Sequence, residues 1–278
     1  MLFVHGALVN GDLWRGVVGR LADRSAGSAR RCLMPTLPLG GHTRAMDANA
    51  DLTPPGLARL LRNFLDAVGA EWVTLVGNDT GGVICQVFLA RYPERVSRLV
   101  LTNCDAFEDF LPPSLRPLQY GARVPGFTAV LLRSLRIGLV SQLVFASVAK
   151  TPIPRAEREA HLRGVIGDAS VRRDFQAVLR GISSRYTIEA AREFPEFERP
   201  VLLVWAEDDF FFPMSSAERL AGAFLDARLE RVADSRAFVP IDRLGRLAES
   251  IAAFVAGTGR NGSDGGDRVL GDGTRTAT

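Results

Sequence analysis

Short, almost wholly apolar runs alternating with helix-patterned segments predict an α/β protein with a mostly parallel sheet covered by helices on both faces. Three observations carry that expectation. Six strand-like runs recur along the chain: Leu2–Val4, 31–34, Val73–76, 99–102, 201–205 and 229–232. Helical periodicity fills the spaces between them, and the stretch "TLVGNDTGGV" at 74–83 turns abruptly from strand to helix between glycines.

The start, "MLFVHGALV", is apolar, lacks a charged leading segment and meets glycine after a few residues, so it reads as a strand and not as a signal peptide. Helices are expected at about 53–69, 82–91, 215–224 and 243–255, the last carrying apolar residues at helical spacing in "RLGRLAESIAAFV". Between 106 and 199 the rhythm changes to helix-like segments broken by prolines ("LPPSLRPL", "RVPGF", "TPIP"), which predicts a helical insertion with no strand. The expected organisation is a core of residues 1–105 and 200–256, a helical cap at 106–199, and a tail at 257–278. That tail, "GTGRNGSDGGDRVLGDGTRTAT", is too poor in apolar residues to offset its ordering entropy and is expected to be disordered.

Composition bounds the function. The chain has 278 residues, 47% hydrophobic and 23% charged, the profile of a soluble globular protein. The net charge of +3 comes almost wholly from arginine, Lys150 being the one lysine, and no basic run is interleaved with aromatics, which argues against a nucleic-acid partner. The most apolar run, "FTAVLLRSLRIGLVSQLVFASVA", is interrupted by Arg133 and Arg136 and reads as an amphipathic helix pair, so no membrane partner is expected. Cys32, Cys85 and Cys104 lie in or beside apolar runs without metal-ligand spacing, and read as buried reduced thiols in a cytoplasmic protein. No metal and no cofactor are expected; the expected partner is a small, largely apolar substrate.

The junction at Asp79 is the strongest chemical signal. A residue on a sharp strand-to-helix turn projects its side chain at the carboxyl end of the sheet, and the crowded flanks favour the glycines found at 77, 81 and 82. The following helix directs its amides at the carboxylate. Alternatively, Asp79 caps an ordinary loop. His5-Gly6 follows the first strand, so the Ala7 amide can turn inward and, with the Thr80 amide, form a two-donor oxyanion hole. "VLLVWAEDDFFFP" ends a strand in an acidic loop that places Asp209 to support a catalytic group.

Together "HG", "PLPLGGHT", "ADLTPPGLARLL", "GNDTGG", "YPERVSRLVLTN", "VLLVWAEDDFFFP" and "RLAESIAAF" resemble the α/β-hydrolase superfamily, and within it the aspartate-nucleophile branch of haloalkane dehalogenases and epoxide hydrolases. The resemblance runs from Leu2 to about Val255. It implies the α/β-hydrolase fold, Asp79 as a nucleophile forming an ester, Asp209 as the triad acid, residues 106–199 as the cap, and N-terminal strands truncated relative to the family.

The chain departs from that family at the catalytic histidine: where it is usual to find "gHFvP", this sequence has "SRAFVP", with Ala237 at the histidine position. Only His5, His42 and His161 exist. His42, in a loop, and His161, on a polar helix, are open as bases or as ordinary loop and surface residues. Asp105 follows the strand "RLVLTN", where some relatives carry the triad acid, so it reads either as a third site carboxylate or as a helix cap. The halide-binding pattern is missing, Thr80 and Ala7 standing where those enzymes have Trp and Asn. Tyr120 and Tyr186 remain as cap donors of epoxide-hydrolase type. Expected activities are therefore aspartyl-ester hydrolysis of an epoxide, halide or ester; a lyase or cyclase reaction with Asp79 as acid or base; or an inactive binding relative.

Overall fold

The computed structural model describes residues 1–24 and 31–257. Strands β1 (Leu2–Val4), β2 (Val73–Gly77), β3 (Val96–Thr102), β4 (Val201–Ala206) and β5 (Ala227–Val232) form one wholly parallel sheet in that order. β1, β2 and β4 are buried along their whole length, because helices cover both faces and no side of these strands meets water. β5, at the sheet edge, is only partly covered and exposes Arg228 and Arg231.

Among the described residues twelve α-helices accompany the sheet: α1 (Arg15–Arg24), α2 (Pro54–Ala67), α3 (Thr80–Arg91), α4 (Arg116–Gly121), α5 (Phe127–Ser134), α6 (Gly138–Val148), α7 (Arg155–Gly167), α8 (Ala169–Gly181), α9 (Ser184–Ala191), α10 (Met214–Gly222), α11 (Val239–Asp242) and α12 (Leu244–Val255). The start of α2 is set by Thr53, whose side chain accepts from the Gly56 amide, followed by Pro54 and Pro55 whose fixed φ suits a first turn. α3 is the central helix: from Thr80 to Leu89 every residue is buried, and it packs on β1, β2, α2 and α9.

Register aligns the strand ends: Val4 pairs with Gly77, Gly77 with Leu101, and Thr102 with Val204. The loops that leave β1, β2, β3 and β4 therefore emerge side by side at one edge of the sheet, which is where open α/β sheets hold their ligands.

Two expectations need correction. The run Arg31–Met34 is not a strand; only Leu33 bridges to Leu2, with Phe3 N–H donating to Leu33 O (2.8 Å) and Leu33 N–H to Met1 O (2.9 Å). Pro35 follows at once and has no N–H with which to continue a ladder. The run 127–149 does form two helices, α5 and α6, bent by 92°, but they are not simply amphipathic: Leu132 and Phe145 are buried, while Val130, Leu139 and Leu143 on the outer side are 72%, 65% and 63% exposed. Among the described residues no single helix is long and apolar enough to cross a membrane. Residues 106–199 hold α4–α9 and no strand. Of the tail expected at 257–278, all but Gly257 lies outside the described residues.

Candidate active site

Asp79 stands between β2 and α3 with φ 53° and ψ −134°, in the left-handed half of backbone space that costs a non-glycine residue of order 1–3 kcal/mol. The turn is held from several sides. Asp79 N–H donates to Asn103 O at 2.8 Å, and Gly82 N–H returns to Asp79 O at 2.9 Å. Close approach explains the glycines: a Cβ on Gly81 would fall 2.4 Å from the carbonyl oxygens of Val4 and His5, and one on Gly6 would fall 2.2 Å from Asp79 Oδ2. The β1 loop and the elbow are thus packed backbone against carboxylate.

That packing aims donors at the carboxyl group. Ala7 N–H donates to Asp79 Oδ2 at 2.9 Å, and the Thr80 amide bonds the same carboxyl group. The arrangement is a two-amide anion hole with one carboxylate oxygen already in it. Asp79 sits deep, with only part of its surface reachable by solvent. Burial pushes its pKa up to about 6; the two amides oppose the rise and the charge of Asp209 adds to it.

Asp209, in the loop after β4, accepts from Asn103 Nδ2 (2.7 Å) and from Phe211 N–H (2.9 Å). Its pKa too rises to about 6, chiefly by burial, against those hydrogen bonds and the charge of Arg236. Asp105 is 4% exposed, and burial first, then the charges of Asp79, Asp109 and Asp209, holds it well above the ordinary carboxylate range. Three mutually coupled carboxyl groups therefore share this end of the sheet.

No imidazole completes the group, because each of the three is engaged elsewhere. His5 is fully buried; its Nε2 accepts from Leu37 N–H at 2.9 Å, so Nδ1 carries the proton and donates to Gly6 O at 2.8 Å. Burial lowers its pKa to about 4, so it is a neutral staple between two loops. His42 Nε2 lies 3.3 Å from the buried carboxylate of Asp174 on α8. His161, left open between a base and a solvated surface residue, is 4% exposed: Nδ1 lies 2.9 Å from Asn10 Oδ1 and the ring stacks on Phe145, because α7 is clamped between α6 and the chain after β1. Of the tyrosines, Tyr120 is 60% exposed with Arg123 over its ring, and the Tyr186 hydroxyl accepts from Arg185.

Ala237 is 1% exposed and lies beside the elbow: its carbonyl accepts from Asn78 Nδ2 at 2.7 Å, one residue before Asp79. The loop that carries it is fixed by Asp242 on α11, whose carboxylate accepts from Arg236 N–H (2.9 Å), Lys150 N–H (3.0 Å) and Thr151 N–H (2.7 Å).

Sequence reasoning missed Asn103, Asn78 and Asp242. Asn103 is the keystone: its carbonyl anchors Asp79, its Nδ2 holds Asp209, and its Oδ1 accepts from Ala206 N–H at 2.7 Å. The available signal was an uncharged amide directly after an apolar strand, at the sheet end where the site forms.

Residues 1–244 match the family described as alpha/beta hydrolase fold. The cis-3-alkyl-4-alkyloxetan-2-one decarboxylase of Shewanella oneidensis is 26% identical over 93% of this chain and 82% of its own length. Haloalkane dehalogenase 2 of Mycobacterium tuberculosis is 27% identical over 90% and 86% respectively. Among solved structures, the haloalkane dehalogenase of Bradyrhizobium elkani superposes with a TM-score of 0.76 at 17% identity, covering 92% of this chain and 89% of that one, which is a likeness of fold.

Proposed function

This chain belongs to the alpha/beta hydrolase fold family, and from that premise we propose that it is an enzyme in which Asp79 attacks a saturated carbon of a small, strained, largely apolar molecule and then leaves without the help of water. The observation that carries this is the pairing of an elbow carboxylate, set in a two-amide hole, with a buried alanine at the position beside it.

The decarboxylase relative's name supplies a reaction class that suits such a site. Asp79 attacks C4 of an oxetan-2-one; the C4–O bond breaks and the ring oxygen becomes part of a carboxylate on C3. The bond between C3 and that carboxylate then breaks, its electron pair forms the C3–C4 double bond, and the aspartyl C4–O bond breaks in turn. Carbon dioxide and an alkene leave, and Asp79 is restored as the carboxylate. No water is consumed and no proton changes hands, so no general base is needed. The amides of Ala7 and Thr80 hold the ester carbonyl oxygen in the intermediate. Asp105, whose burial and carboxylate neighbours favour its protonated form, would in that form donate a hydrogen bond to the transient carboxylate.

The second reading is aspartyl-ester hydrolysis, as the dehalogenase relatives suggest. It draws support from Asp209, whose pKa near 6 suits a general base working through water.

The test is incubation with a cis-3,4-dialkyl oxetan-2-one, a haloalkane and an epoxide in ¹⁸O-labelled water. Decarboxylation gives equal amounts of alkene and carbon dioxide with no ¹⁸O in the organic product. A hydroxy acid, or turnover of the halide or epoxide to an alcohol, overturns the decarboxylation in favour of hydrolysis.

A further inference from the structure

The strongest feature outside the carboxylate cluster is the outer face of α4–α6. Val130 on α5, Leu139 and Leu143 on α6, Ile137 between these two helices and Tyr120 on α4 are each at least 59% exposed. Isolated exposed apolar residues are ordinary, but a run of them on consecutive helices is not. The charge pattern around them is one-sided. From Phe110 to Ala156 the chain holds Arg116, Arg123, Arg133, Arg136, Lys150 and Arg155 and not one Asp or Glu. Arg116, Arg123, Arg133 and Arg136 are exposed, and among the described residues none of the four forms an ion pair. Elsewhere several surface arginines are paired, as Arg219 is with Glu108 and Arg231 with Glu218.

We propose that this face docks on an anionic lipid bilayer, with α5 and α6 lying in the interface. Apolar side chains that stand out among arginines in no ion pair, on a stretch of chain with no acidic residue, complement a surface that is apolar beneath and negative above. A second copy of this chain meeting it face to face would set arginine against arginine. The 92° bend between two short helices fits a surface contact, since neither helix alone can span. Sequence reading led to the opposite expectation, because it took the run, interrupted by Arg133 and Arg136, as an amphipathic helix pair with no membrane partner.

The position relates to the chemistry. α6 ends on the Ala237 loop, where Phe238 N–H donates to Val148 O at 2.8 Å and the Arg236 guanidinium donates to Ala146 O. A membrane-dissolved substrate would meet the protein where the chain leads from the lipid-facing helices to the elbow. The docking itself does not depend on what Asp79 does.

Co-sedimentation of the full chain with phosphatidylglycerol–phosphatidylcholine vesicles tests this, with pure phosphatidylcholine vesicles as control. Binding is expected to the anionic vesicles, weakening as salt rises. The R116Q/R133Q variant is expected to lose about 30-fold in partitioning, at roughly 1 kcal/mol per basic residue near the surface. V130S/L139S/L143S is expected to lose at least about tenfold, and because these side chains are exposed, its melting temperature should stay within the parent's range. Absence of vesicle binding, or equal binding to neutral vesicles unmoved by the arginine variant, overturns the proposal. So does concentration-dependent self-association that the serine variant abolishes while vesicle binding stays absent.

Discussion

Replacing Asp79 by asparagine should make the protein more stable while ending its chemistry, and the size of the gain follows from the site. The carboxylate's rise from 3.8 to about 6 means that its ionised form costs the fold about 3 kcal/mol at neutral pH, at 1.36 kcal/mol per pH unit. That cost is already net of the help the Ala7 and Thr80 amides give the charge, and asparagine keeps one oxygen for those amides as the neutral acid does. A gain of about 3 kcal/mol is therefore expected, which for a domain of this size raises the melting temperature by roughly 6–12 °C. The pH dependence identifies the cause. A group whose folded pKa is raised binds its proton more tightly in the native state, so the parent is favoured at low pH and loses that advantage as pH rises through about 6. The gap between variant and parent should therefore be absent near pH 4, open between about pH 4 and 6, and stay constant above. Scanning calorimetry across that range reads it directly. A gap independent of pH, or a variant less stable than the parent at neutral pH, refutes the assignment of Asp79 as a carboxylate held against its preference.

Turnover should require Asp79 ionised, so kcat/KM should fall about tenfold per pH unit below about 6 and level off above it; a pH–rate profile flat down to pH 5 excludes Asp79 as the nucleophile. Gly6→Ala puts a methyl 2.2 Å from Asp79 Oδ2 and must push the carboxylate out of its hole, so kcat should drop about 10²–10³-fold in steady-state assays, and an unaltered kcat would show that the hole is not used. Ala237→His should speed the decay of any alkyl ester trapped on Asp79 by up to about 10²–10⁴-fold, followed by intact mass; if the adduct decays at the parent's rate, the loop does not direct residue 237 at the site.

The parts legible in the sequence are those set by local chemistry. The buried strands announce themselves because β1, β2 and β4 have both faces covered, so their residues are apolar almost throughout, Thr74 being the exception. The elbow is legible because crowding at Gly81 and Gly6 leaves no room for a side chain, and glycines at that spacing are its residue-level trace. What was not legible depends on partners distant in sequence. Asn103 matters because β3 lies between β2 and β4, so its carbonyl reaches one loop and its amide the other. The burial of His161 on a mostly polar helix depends on Asn10, 151 residues away, and on the ring of Phe145. In the apolar run of α5 and α6 the helix pair was legible, but not that apolar side chains stand on its outer side as well as on its buried one.

The accounting of charge at the sheet's carboxyl end favours the water-free reaction proposed above. Asp79, Asp105 and Asp209 share this end of the sheet, the charge of Asp209 raising both of the others, and among the described residues Arg236 is the cation that acts on Asp209. Displacing a halide would move one negative charge from Asp79 to the leaving ion, and the ester left behind would then need water, and a base to take its proton, before Asp79 is restored. Opening an oxetanone moves one negative charge from Asp79 to the substrate carboxylate, and loss of carbon dioxide returns it to Asp79. The pocket holds one mobile negative charge throughout, and both products leave neutral. An alanine at position 237 is then no defect, because the only work an imidazole would do is to activate water that this reaction has no use for.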